Sequence, residues 1–307
     1  MAISLDGRVA IVTGAGGGLG RAHAMLLARR GAKVVVNDLG VARDGCGASL
    51  AAAQVVVDEI RASGGEAVAN GASVTDFIQA EAMVADAVAR WGRVDILVNN
   101  AGILRDRTFA KTSLEDFRAV VDVHFWGSVH CTKAVWDVML GQKYGRIVMT
   151  TSASGLYGNF GQSAYGSAKM ALVGLMNTLH EEGEKYNIRV SCLAPSAATR
   201  MTEGIFPAEQ LEMMSPMAAS YGVLALVCDA APSRIVLCAG AGAFERAHVT
   251  LTKGVFIGVN EDAGERVLAA LMEISDRIGE AVPANGLMQS QHEVESMKRA
   301  LECPGSR

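Results

Sequence analysis

Tyr165 and Lys169 lie four residues apart in a segment predicted to be helical, so their side chains share one helix face. A phenol has a reference pKa of about 10 and is a poor base at neutral pH, but a nearby ammonium stabilises its ionised form. Ser152, which precedes the tyrosine by 13 residues, could donate a hydrogen bond to a substrate oxygen. The three residues together predict proton transfer, although an isolated Tyr–Lys pair is more often a pair of surface neighbours.

A glycine-rich segment joins the first predicted strand to the first predicted helix. Gly14, Gly18 and Gly20 have the spacing G-x-x-x-G-x-G, with Leu19 between the last two. Glycines here let backbone N–H groups approach a pyrophosphate at the positive end of the helix. Such a segment can also be no more than a tight connection, so further observations are needed.

The second predicted strand is followed by a carboxylate, Asp38, which lies 18 residues beyond Gly20. At this place an acidic side chain can accept hydrogen bonds from both hydroxyls of an adenosine ribose. The same negative charge would repel a 2′-phosphate. The sequence therefore predicts a dinucleotide cofactor, and NAD rather than NADP.

A third motif, Asn99-Asn100-Ala101-Gly102, ends the fourth predicted strand. The ordered set TGxxxGxG, NNAG and Tyr-x-x-x-Lys resembles the short-chain dehydrogenase/reductase family over about residues 5–260. The resemblance implies hydride transfer between a nicotinamide and a secondary alcohol or ketone, with Ser152, Tyr165 and Lys169 as catalytic residues. It also implies that Asn99 stabilises the central strand by side-chain hydrogen bonds. The cofactor-binding residues that it implies are Gly14, Gly18, Leu19, Gly20, Asp38, Ser73, Val74, Asn100, Ala101, Gly102, Tyr165, Lys169, Pro195 and Thr199.

His124 departs from the usual pattern of this family. An asparagine is common at this helical position, where it helps to hold a water that connects the lysine to solvent. We expect His124 to be a fourth catalytic residue, with its imidazole or the helix carbonyl sustaining the same proton path. The alternative is a histidine that only packs inside the helix.

Five stretches resemble one subfamily in particular, the (3R)-hydroxyacyl-CoA dehydrogenase portion of peroxisomal multifunctional enzymes of type 2, also known as a 17β-hydroxysteroid dehydrogenase. They comprise residues 34–40, 99–107, 121–124, 154–162 and 194–202, and His124 belongs to the pattern. The resemblance implies NAD-dependent oxidation of a (3R)-3-hydroxyacyl-CoA to the 3-ketoacyl-CoA, including bulky or sterol-derived acyl groups. Since those enzymes continue into a hydratase domain, we expect this chain to be a stand-alone dehydrogenase.

The substrate is less well determined than the reaction. Apolar residues could form an acyl or steroid pocket, or could only pack a loop onto the sheet; they are Leu156, Tyr157, Phe160, Met201, Met213, Met214 and Met217. Arg105, Arg107 and Arg200 could meet CoA phosphates, although single surface arginines rarely do. A 17β-hydroxysteroid, a sugar or another secondary alcohol is an alternative substrate. A non-catalytic NAD-binding sensor or scaffold is a further alternative, but a sensor has no need of the Ser, Tyr and Lys.

The elements that must position these residues alternate between short apolar runs and helix-length segments over the first 195 residues. Runs that are apolar throughout predict strands covered on both faces, and their alternation with helices predicts right-handed crossovers. We predict an α/β fold, a Rossmann-type doubly wound parallel sheet in a single domain with a C-terminal helical extension. Strands are predicted at Val9–Thr13, Ala32–Asp38, Glu66–Ser73, Asp95–Asn99, Gly145–Thr151 and Ile188–Ala194, and helices at Gly18–Arg30, Cys46–Ser63, Phe77–Trp91, Ser113–Gln142 and Ser163–Tyr186.

The alternation of short apolar runs and helix-length segments ends at Pro195. Residues 196–220 predict a mobile substrate loop. Beyond it we predict a helix, a strand, a second strand-like run and two helical segments, at Ala218–Cys228, Arg234–Ala239, Ala247–Gly258, 261–279 and 289–301. We therefore expect an NAD-binding domain over residues 1–260 and a helical extension over residues 261–307.

The composition limits the classes of partner. Of 307 residues 50% are hydrophobic and 20% charged, which excludes global disorder, and a net charge of -4 without a basic run argues against nucleic acid and anionic membranes. Six cysteines without a C-x-x-C pair indicate no metal site. No leader pattern and no long apolar segment are present, so we expect a cytoplasmic protein. The long helices Ser113–Gln142 and Ser163–Tyr186 predict self-association into a homodimer or homotetramer.

Overall fold

A computed structural model describes residues 2–40, 49–198 and 207–302 of the chain. The chain divides into two compact units, Met1–Ala247 and His248–Arg307. The domain boundary expected at residue 260 stays a prediction, and the division between the units comes earlier in the chain.

The first unit contains a sheet of eight strands in the order β3-β2-β1-β4-β5-β6-β7-β8. All neighbours pair in parallel except β7 and β8, which are antiparallel. The chain order reverses between β1 and β4, as in a doubly wound sheet, so the predicted fold class is confirmed. The strands are β1 Val9–Thr13, β2 Lys33–Asn37, β3 Ala67–Asn70, β4 Ile96–Asn99, β5 Gly145–Thr150, β6 Ile188–Ser196, β7 Val236–Gly240 and β8 Ala243–Ala247.

Helices cover both faces of this sheet. Their apolar sides form two cores, one with α1, α2 and α9 and the other with α3, α5 and α7. Every residue of β1, β4 and β5 is buried, which explains why these strands are apolar throughout rather than alternating. The helices are α1 Gly18–Arg29, α2 Ala51–Ala62, α3 Phe77–Trp91, α4 Leu114–Val121, α5 Gly127–Gln142, α6 Ala153–Tyr157, α7 Ser163–Gly183, α8 Ala208–Met213 and α9 Pro216–Val227.

A π-helical turn, Asp122–Trp126, joins α4 to α5, so the predicted helix Ser113–Gln142 is continuous but not uniform. Such turns contain one residue more than a regular turn and are frequent at functional sites. Ser113 caps the start of α4 by accepting a hydrogen bond from the backbone N–H of Asp116 at 3.0 Å.

The second strand-like run, expected at Ala247–Gly258, is wrong. The strand is β8, which lies earlier and turns back onto β7 through Ala241 and Gly242, with φ values of 49° and 84°. Two consecutive residues with positive φ form the type I′ turn that suits a tight hairpin, and this turn fixes the strand directly behind it. Between 248 and 258 the chain forms a single isolated bridge, from Leu251 to Ala281.

The described part of the second unit contains three helices, the short α10 Ala263–Ala269 and α11 Leu271–Ile274 and the longer α12 Leu287–Glu302. Side chains tie the segments to the preceding chain: Thr252 Oγ1 donates to the carbonyl oxygen of Ile274 at 2.7 Å, and His292 Nε2 lies 2.8 Å from the carbonyl oxygen of Lys253. None of the helices in the described ranges is long and apolar enough to cross a membrane.

Candidate active site

The predicted site residues follow strands whose carboxyl ends meet at one edge of the sheet. The glycine segment follows β1, Asp38 follows β2, the segment 100–102 follows β4, and Ser152 follows β5. In a doubly wound sheet this edge, at the point where strand order reverses, is where ligands bind.

The glycine segment has the backbone that its sequence predicts. Gly14 and Gly18 have φ values of 63° and 52°, a conformation that favours glycine. A Cβ on Gly20 would lie 2.2 Å from the carbonyl oxygen of Gly14, so a side chain there would break the turn. The N-cap of α1, Gly17, supplies no side-chain hydrogen bond, and the first turn contains no acidic residue. This helix end therefore fits a phosphate group well.

Asp38 receives two backbone hydrogen bonds. Its Oδ2 accepts from the N–H of Gly16 at 2.7 Å, and its Oδ1 accepts from the N–H of Gly40 at 2.7 Å. A carboxylate has about four acceptor positions, so each oxygen can accept a further hydrogen bond from a ribose hydroxyl. A Cβ on Gly16 would lie 2.8 Å from Oδ2, which explains the glycine at this position.

Thr13, which the sequence analysis did not single out, connects the first motif to the second. Its Oγ1 accepts hydrogen bonds from the backbone N–H groups of Asn100 and Ala101 at 2.9 Å and 3.0 Å. Asn100 in turn donates through Nδ2 to the carbonyl oxygens of Thr13 and Gly14 at 2.9 Å and 3.1 Å. The position of Thr13 directly before Gly14 was the available signal.

Asn99 and Asn100 both hold the central strand through their side chains, Asn100 toward β1 and Asn99 toward a helix. Along β4 the side chains alternate between the two faces of the sheet, and that of Asn99 points toward α5. There its Nδ2 donates to Thr132 Oγ1 at 3.0 Å. This side-chain hydrogen bond ties β4 to a helix, which agrees with the role expected for Asn99.

The remaining candidate cofactor-binding residues lie on several elements around this edge of the sheet. Ser73 and Val74 follow β3; the backbone N–H of Ser73 donates to Gln79 Oε1 at 3.0 Å, and the carbonyl oxygen of Val74 lies 3.0 Å from His130 Nδ1. Leu19 packs against the core on the α1 side. Pro195 lies in β6, paired with Ala239. Thr199 lies outside the described residues, as do Arg200 and Met201.

The three catalytic candidates come together in the structure. Ser152 caps α6 with its Oγ, which accepts from the N–H of Ser154 at 3.2 Å, and its hydroxyl lies close enough to the phenol of Tyr165 to lower the pKa of that group. Lys169 is buried, its Nζ lies 5.5 Å from the centroid of the Tyr165 ring, and it donates to the carbonyl oxygen of Thr150 at 2.5 Å. The end of β5 and the first turns of α7 thus place a hydroxyl, a phenol and an amine around one point.

Burial controls the charges of this group. It lowers the pKa of Lys169 to about 7, because an ammonium without solvent is disfavoured. Burial also raises the pKa of Tyr165; the nearby Ser152 hydroxyl opposes this, and the negative charge of Asp106 raises the pKa further. The expected lowering of the Tyr165 pKa by Lys169 is not seen, because the lowering influence comes from Ser152 and burial exceeds it.

His124 lies in the π-helical turn and is buried against this group. Its Nε2 lies 2.8 Å from the carbonyl oxygen of Ile103 and 3.2 Å from the backbone nitrogen of the same residue, so Nε2 has a partner at Ile103 whether it donates or accepts. Burial, with the nearby charge of Lys169 second, holds the pKa of the imidazole well below its ordinary value, so the ring is neutral. Nδ1 is buried and has no hydrogen bond among the residues that the structure describes. Two proton routes were expected at His124, one through the helix carbonyl and one through the imidazole. The carbonyl oxygen of His124 already accepts a hydrogen bond from Ser128 Oγ at 2.7 Å, so the imidazole is the more accessible of the two.

Two aromatic side chains beside Ser152 are open to solvent. Tyr157 and Phe160 are 72% and 89% exposed, whereas Leu156 packs against the core. Packing of the loop onto the sheet therefore accounts for Leu156 but not for the two rings. Gln162 Nε2 donates to Asp106 Oδ2 at 2.6 Å and connects this loop to the segment after β4. Among the methionines, Met213 is exposed and Met217 packs against the α1 side.

The described ranges 2–40, 49–198 and 207–302 contain no group of three or more His, Cys, Asp or Glu side chains that could hold a metal ion. The donor set at the sheet edge is instead that of a dinucleotide site: backbone N–H groups at a helix start, a ribose-binding carboxylate and a buried amine.

Comparisons with known proteins agree with this geometry. Residues 8–210 match the family described as short chain dehydrogenase. Peroxisomal multifunctional enzyme type 2 of Drosophila melanogaster is 58% identical over 202 residues, which are 66% of this chain and 33% of that enzyme. The chain therefore spans about a third of the length of this relative.

Solved structures give the same result. The full-length peroxisomal multifunctional enzyme type 2 from Drosophila melanogaster aligns with a TM-score of 0.80 and 37% identity, over 97% of this chain and 51% of that one. A 7α-hydroxysteroid dehydrogenase in complex with NADH and 7-oxo glycochenodeoxycholic acid aligns with a TM-score of 0.70 and 31% identity, over 78% of this chain and 95% of that one.

Proposed function

The chain belongs to the short-chain dehydrogenase family, and we propose that it oxidises a (3R)-3-hydroxyacyl-CoA to the 3-ketoacyl-CoA with NAD as its cofactor. The observation that carries this proposal is the meeting of Ser152, Tyr165 and Lys169 at the carboxyl end of β5, where Lys169 Nζ lies 5.5 Å from the centroid of the Tyr165 ring and donates to the carbonyl oxygen of Thr150. The substrate class is supported by the 58% identity to a peroxisomal multifunctional enzyme type 2.

The residues divide the reaction between them. When bound, the nicotinamide accepts the hydrogen and its electron pair from the carbinol carbon. Tyr165 takes the proton of the substrate hydroxyl as the carbonyl forms, and Ser152 donates a hydrogen bond to the same oxygen. Lys169, with a pKa of about 7 and a fixed hydrogen bond to the carbonyl oxygen of Thr150, holds and passes on this proton. His124 orders the ring of Tyr165, and its buried Nδ1, which has no partner among the described residues, is available for a hydrogen bond beside the same path.

The preference for NAD is part of the proposal. It is supported by Asp38, whose carboxylate lies behind the glycine segment and would repel a 2′-phosphate. Gly14, Gly18 and Gly20 would leave room for the pyrophosphate at the start of α1, with Leu19 packed beneath it. The adenine end would lie against Ser73 and Val74, and the ribose path would follow Asn100, Ala101 and Gly102.

The exposed rings of Tyr157 and Phe160 support an extended or bulky acyl group. They follow Ser152 in the chain, and an apolar acyl chain would cover their exposed faces. A hydroxysteroid is the second candidate, because a 7α-hydroxysteroid dehydrogenase shares the fold at a TM-score of 0.70. A non-catalytic NAD-binding role has less support, since Ser152, Tyr165 and Lys169 are all present and assembled.

Self-association through the long helices α4–α5 and α7 is also proposed, as at least a homodimer. It is supported by Trp126, a large apolar side chain that is 48% exposed where α5 begins. The cytoplasmic location expected from the sequence stays a prediction, and fractionation of cells would test it against the peroxisomal location in the name of the relative.

The decisive experiment is to measure NADH formation with (3R)- and (3S)-3-hydroxyacyl-CoAs of several chain lengths, hydroxysteroids and sugar alcohols. We expect kcat/KM for a (3R)-3-hydroxyacyl-CoA to exceed that for the (3S) form and for the other alcohols by about 100-fold or more. A preference for a steroid would select the second candidate. If no alcohol is oxidised while NADH binds, the chain is a sensor rather than this enzyme.

A further inference from the structure

His130 on α5 reaches back to the loop that follows β3. Its Nδ1 lies 3.0 Å from the carbonyl oxygen of Val74, which is 56 residues away in the sequence. Because a carbonyl oxygen only accepts, Nδ1 is the protonated nitrogen and donates this hydrogen bond. Val74 is also the residue to which the proposed function assigns the adenine end of the cofactor.

The imidazole of His130 is fixed by aromatic neighbours. Its ring centroid lies 5.8 Å from that of Phe77 at the start of α3 and 6.0 Å from that of Trp126 at the end of the π-helical turn. Contacts at these separations restrict the ring, so its donor points in one direction. The hydrogen bond to Val74 is therefore preorganised before any ligand arrives.

Gly127, on the same helix turn, supports the side chain of Val74. A Cβ on Gly127 would lie 2.7 Å from Val74 Cγ2, closer than carbon atoms approach, so only glycine lets the helix and the valine meet. Val74 is thus in contact with α5 on two sides, through its carbonyl group and through its methyl groups.

The backbone on each side of Val74 has its own anchors. Asn37 Nδ2 donates to the carbonyl oxygen of Ala72 at 2.9 Å, and Asp76 caps α3 by accepting from the N–H of Gln79 at 3.2 Å. Val74 itself lies in a turn that the hydrogen bond from the Asp76 N–H to the carbonyl oxygen of Ser73 closes at 3.2 Å, and His130 and Gly127 fix Val74 against α5. Loss of the hydrogen bond from His130 would consequently move Val74 without unfolding the elements around it.

We propose that His130 is a positioning residue for the adenine half of the cofactor and that it acts by holding Val74 in place. This inference rests on the proposed cofactor site and adds to it a residue remote from the reacting atoms. It follows that His130 sets the affinity for adenine nucleotides and leaves the turnover of the saturated enzyme unchanged.

A pair of substitutions separates the hydrogen bond from the ring. His130→Asn keeps a donor near the place of Nδ1 but removes the ring, and His130→Phe keeps the ring but removes the donor. We expect the phenylalanine variant to bind NADH about five- to tenfold more weakly, as the loss of one hydrogen bond predicts, and the asparagine variant to bind within about twofold of the parent. The kcat at saturating NAD should stay within about twofold for both.

AMP, which contains only the adenine half, locates the effect. Measured by competition with NADH fluorescence, its Kd should rise in the phenylalanine variant by the same factor as that for NADH. Gly127→Ala provides an independent perturbation: alanine favours a helix over glycine by about 1 kcal/mol, so α5 should hold while Val74 is displaced and NADH binding weakens. The melting temperature without cofactor controls for folding in each variant.

The proposal is overturned if all variants bind NADH with the affinity of the parent. It is also overturned if NADH binding weakens in the asparagine variant alone, or by the same factor in both His130 variants. A weakened affinity for NADH with unchanged affinity for AMP would also overturn it. If the phenylalanine variant does not fold, unchanged AMP binding in Gly127→Ala overturns it and weakened binding supports it. If the parent binds NADH and AMP but oxidises no alcohol, only the proposed function fails; if it binds neither, both fail.

Discussion

The imidazole of His124 stands edge-on to the phenol ring of Tyr165, with the ring centroids 5.0 Å apart and the planes at 89°. The two residues come from different elements, the π-helical turn and the start of α7. This contact fixes the orientation of the phenol while the imidazole stays neutral, so His124 affects the reaction by position and by its unpartnered Nδ1 rather than by charge.

Replacement of His124 by Asn, the residue common at this position in the family, should lower kcat by about tenfold and leave the shape of the pH profile unchanged. The pKa of His124 lies well below its ordinary value because of burial, so the ring does not titrate between pH 6 and pH 9. Initial rates across this range test the prediction. An inflection between pH 6 and pH 8 in the parent that disappears in His124→Asn would contradict it.

Tyr165→Phe should lower turnover by a factor on the order of 100 or more while NADH binding persists, because only the proton-transferring hydroxyl is lost. Since burial raises the pKa of Tyr165, alcohol oxidation by the parent should still increase at alkaline pH as the phenol ionises. The variant should lack this alkaline limb. Near-normal turnover in a variant that still binds NADH would show that another group is the base.

Lys169→Met should stabilise the cofactor-free protein near neutral pH. The folded pKa of about 7 lies below the ordinary value of 10.5, so the cost of burying the ammonium is present in full below about pH 7 and disappears as the pH rises toward 10.5. We expect a melting temperature higher by about 3–8 °C at pH 6.5, with a gain that declines by pH 10.

The exposed Lys133 supplies the control for this measurement, since Lys133→Met should give a small difference that does not change with pH. A gain for Lys169→Met that is equal at pH 6.5 and pH 10 would rule out a buried charge as its cause.

Asp38→Asn should reduce discrimination between NAD and NADP by about tenfold or more, since the substitution removes the charge but keeps the size of the side chain. Asp38→Ala should also weaken NAD binding by about tenfold, because the ribose hydroxyls and the backbone N–H groups of Gly16 and Gly40 lose their acceptor. The ratio of kcat/KM values for the two cofactors measures both effects. The assignment fails if the kcat/KM of the parent with NADP equals or exceeds its kcat/KM with NAD.

The chain should sediment as a dimer or larger at micromolar concentration. Trp126→Glu places a charge on the half-exposed start of α5. It should raise the Kd for dissociation of the dimer by about tenfold or more. Val55→Glu on the exposed side of α2 is the matched control and should leave the mass unchanged. A monomeric parent would remove the basis for this prediction.

Local motifs allowed much of the site to be predicted from the sequence. Gly14, Asp38, Tyr165 and Lys169 take their places from a strand end or a helix period, and the structure brings them to one edge of the sheet. These properties depend on a few neighbouring residues, and a sequence displays them directly.

Contacts between distant segments could not be predicted in this way. Nothing in the sequence indicates that Gln162 donates to Asp106, that Thr150 offers its carbonyl oxygen to Lys169, or that His130 reaches Val74. These pairs depend on how the crossovers pack. The net direction of the Tyr165 pKa likewise depends on burial, which a residue pattern does not measure.

The π-helical turn Asp122–Trp126 makes the length of this helix as important as its composition. A regular helix advances by about 100° per residue, so deletion of one residue from the turn would rotate everything on one side of it by that angle relative to the other. His124 contacts Tyr165 at one end of the site, and Gly127 and His130 contact Val74 at the other. Substitutions on the outer face of the helix should therefore be tolerated. Deletion of a single residue from the turn would instead damage both ends of the site at once.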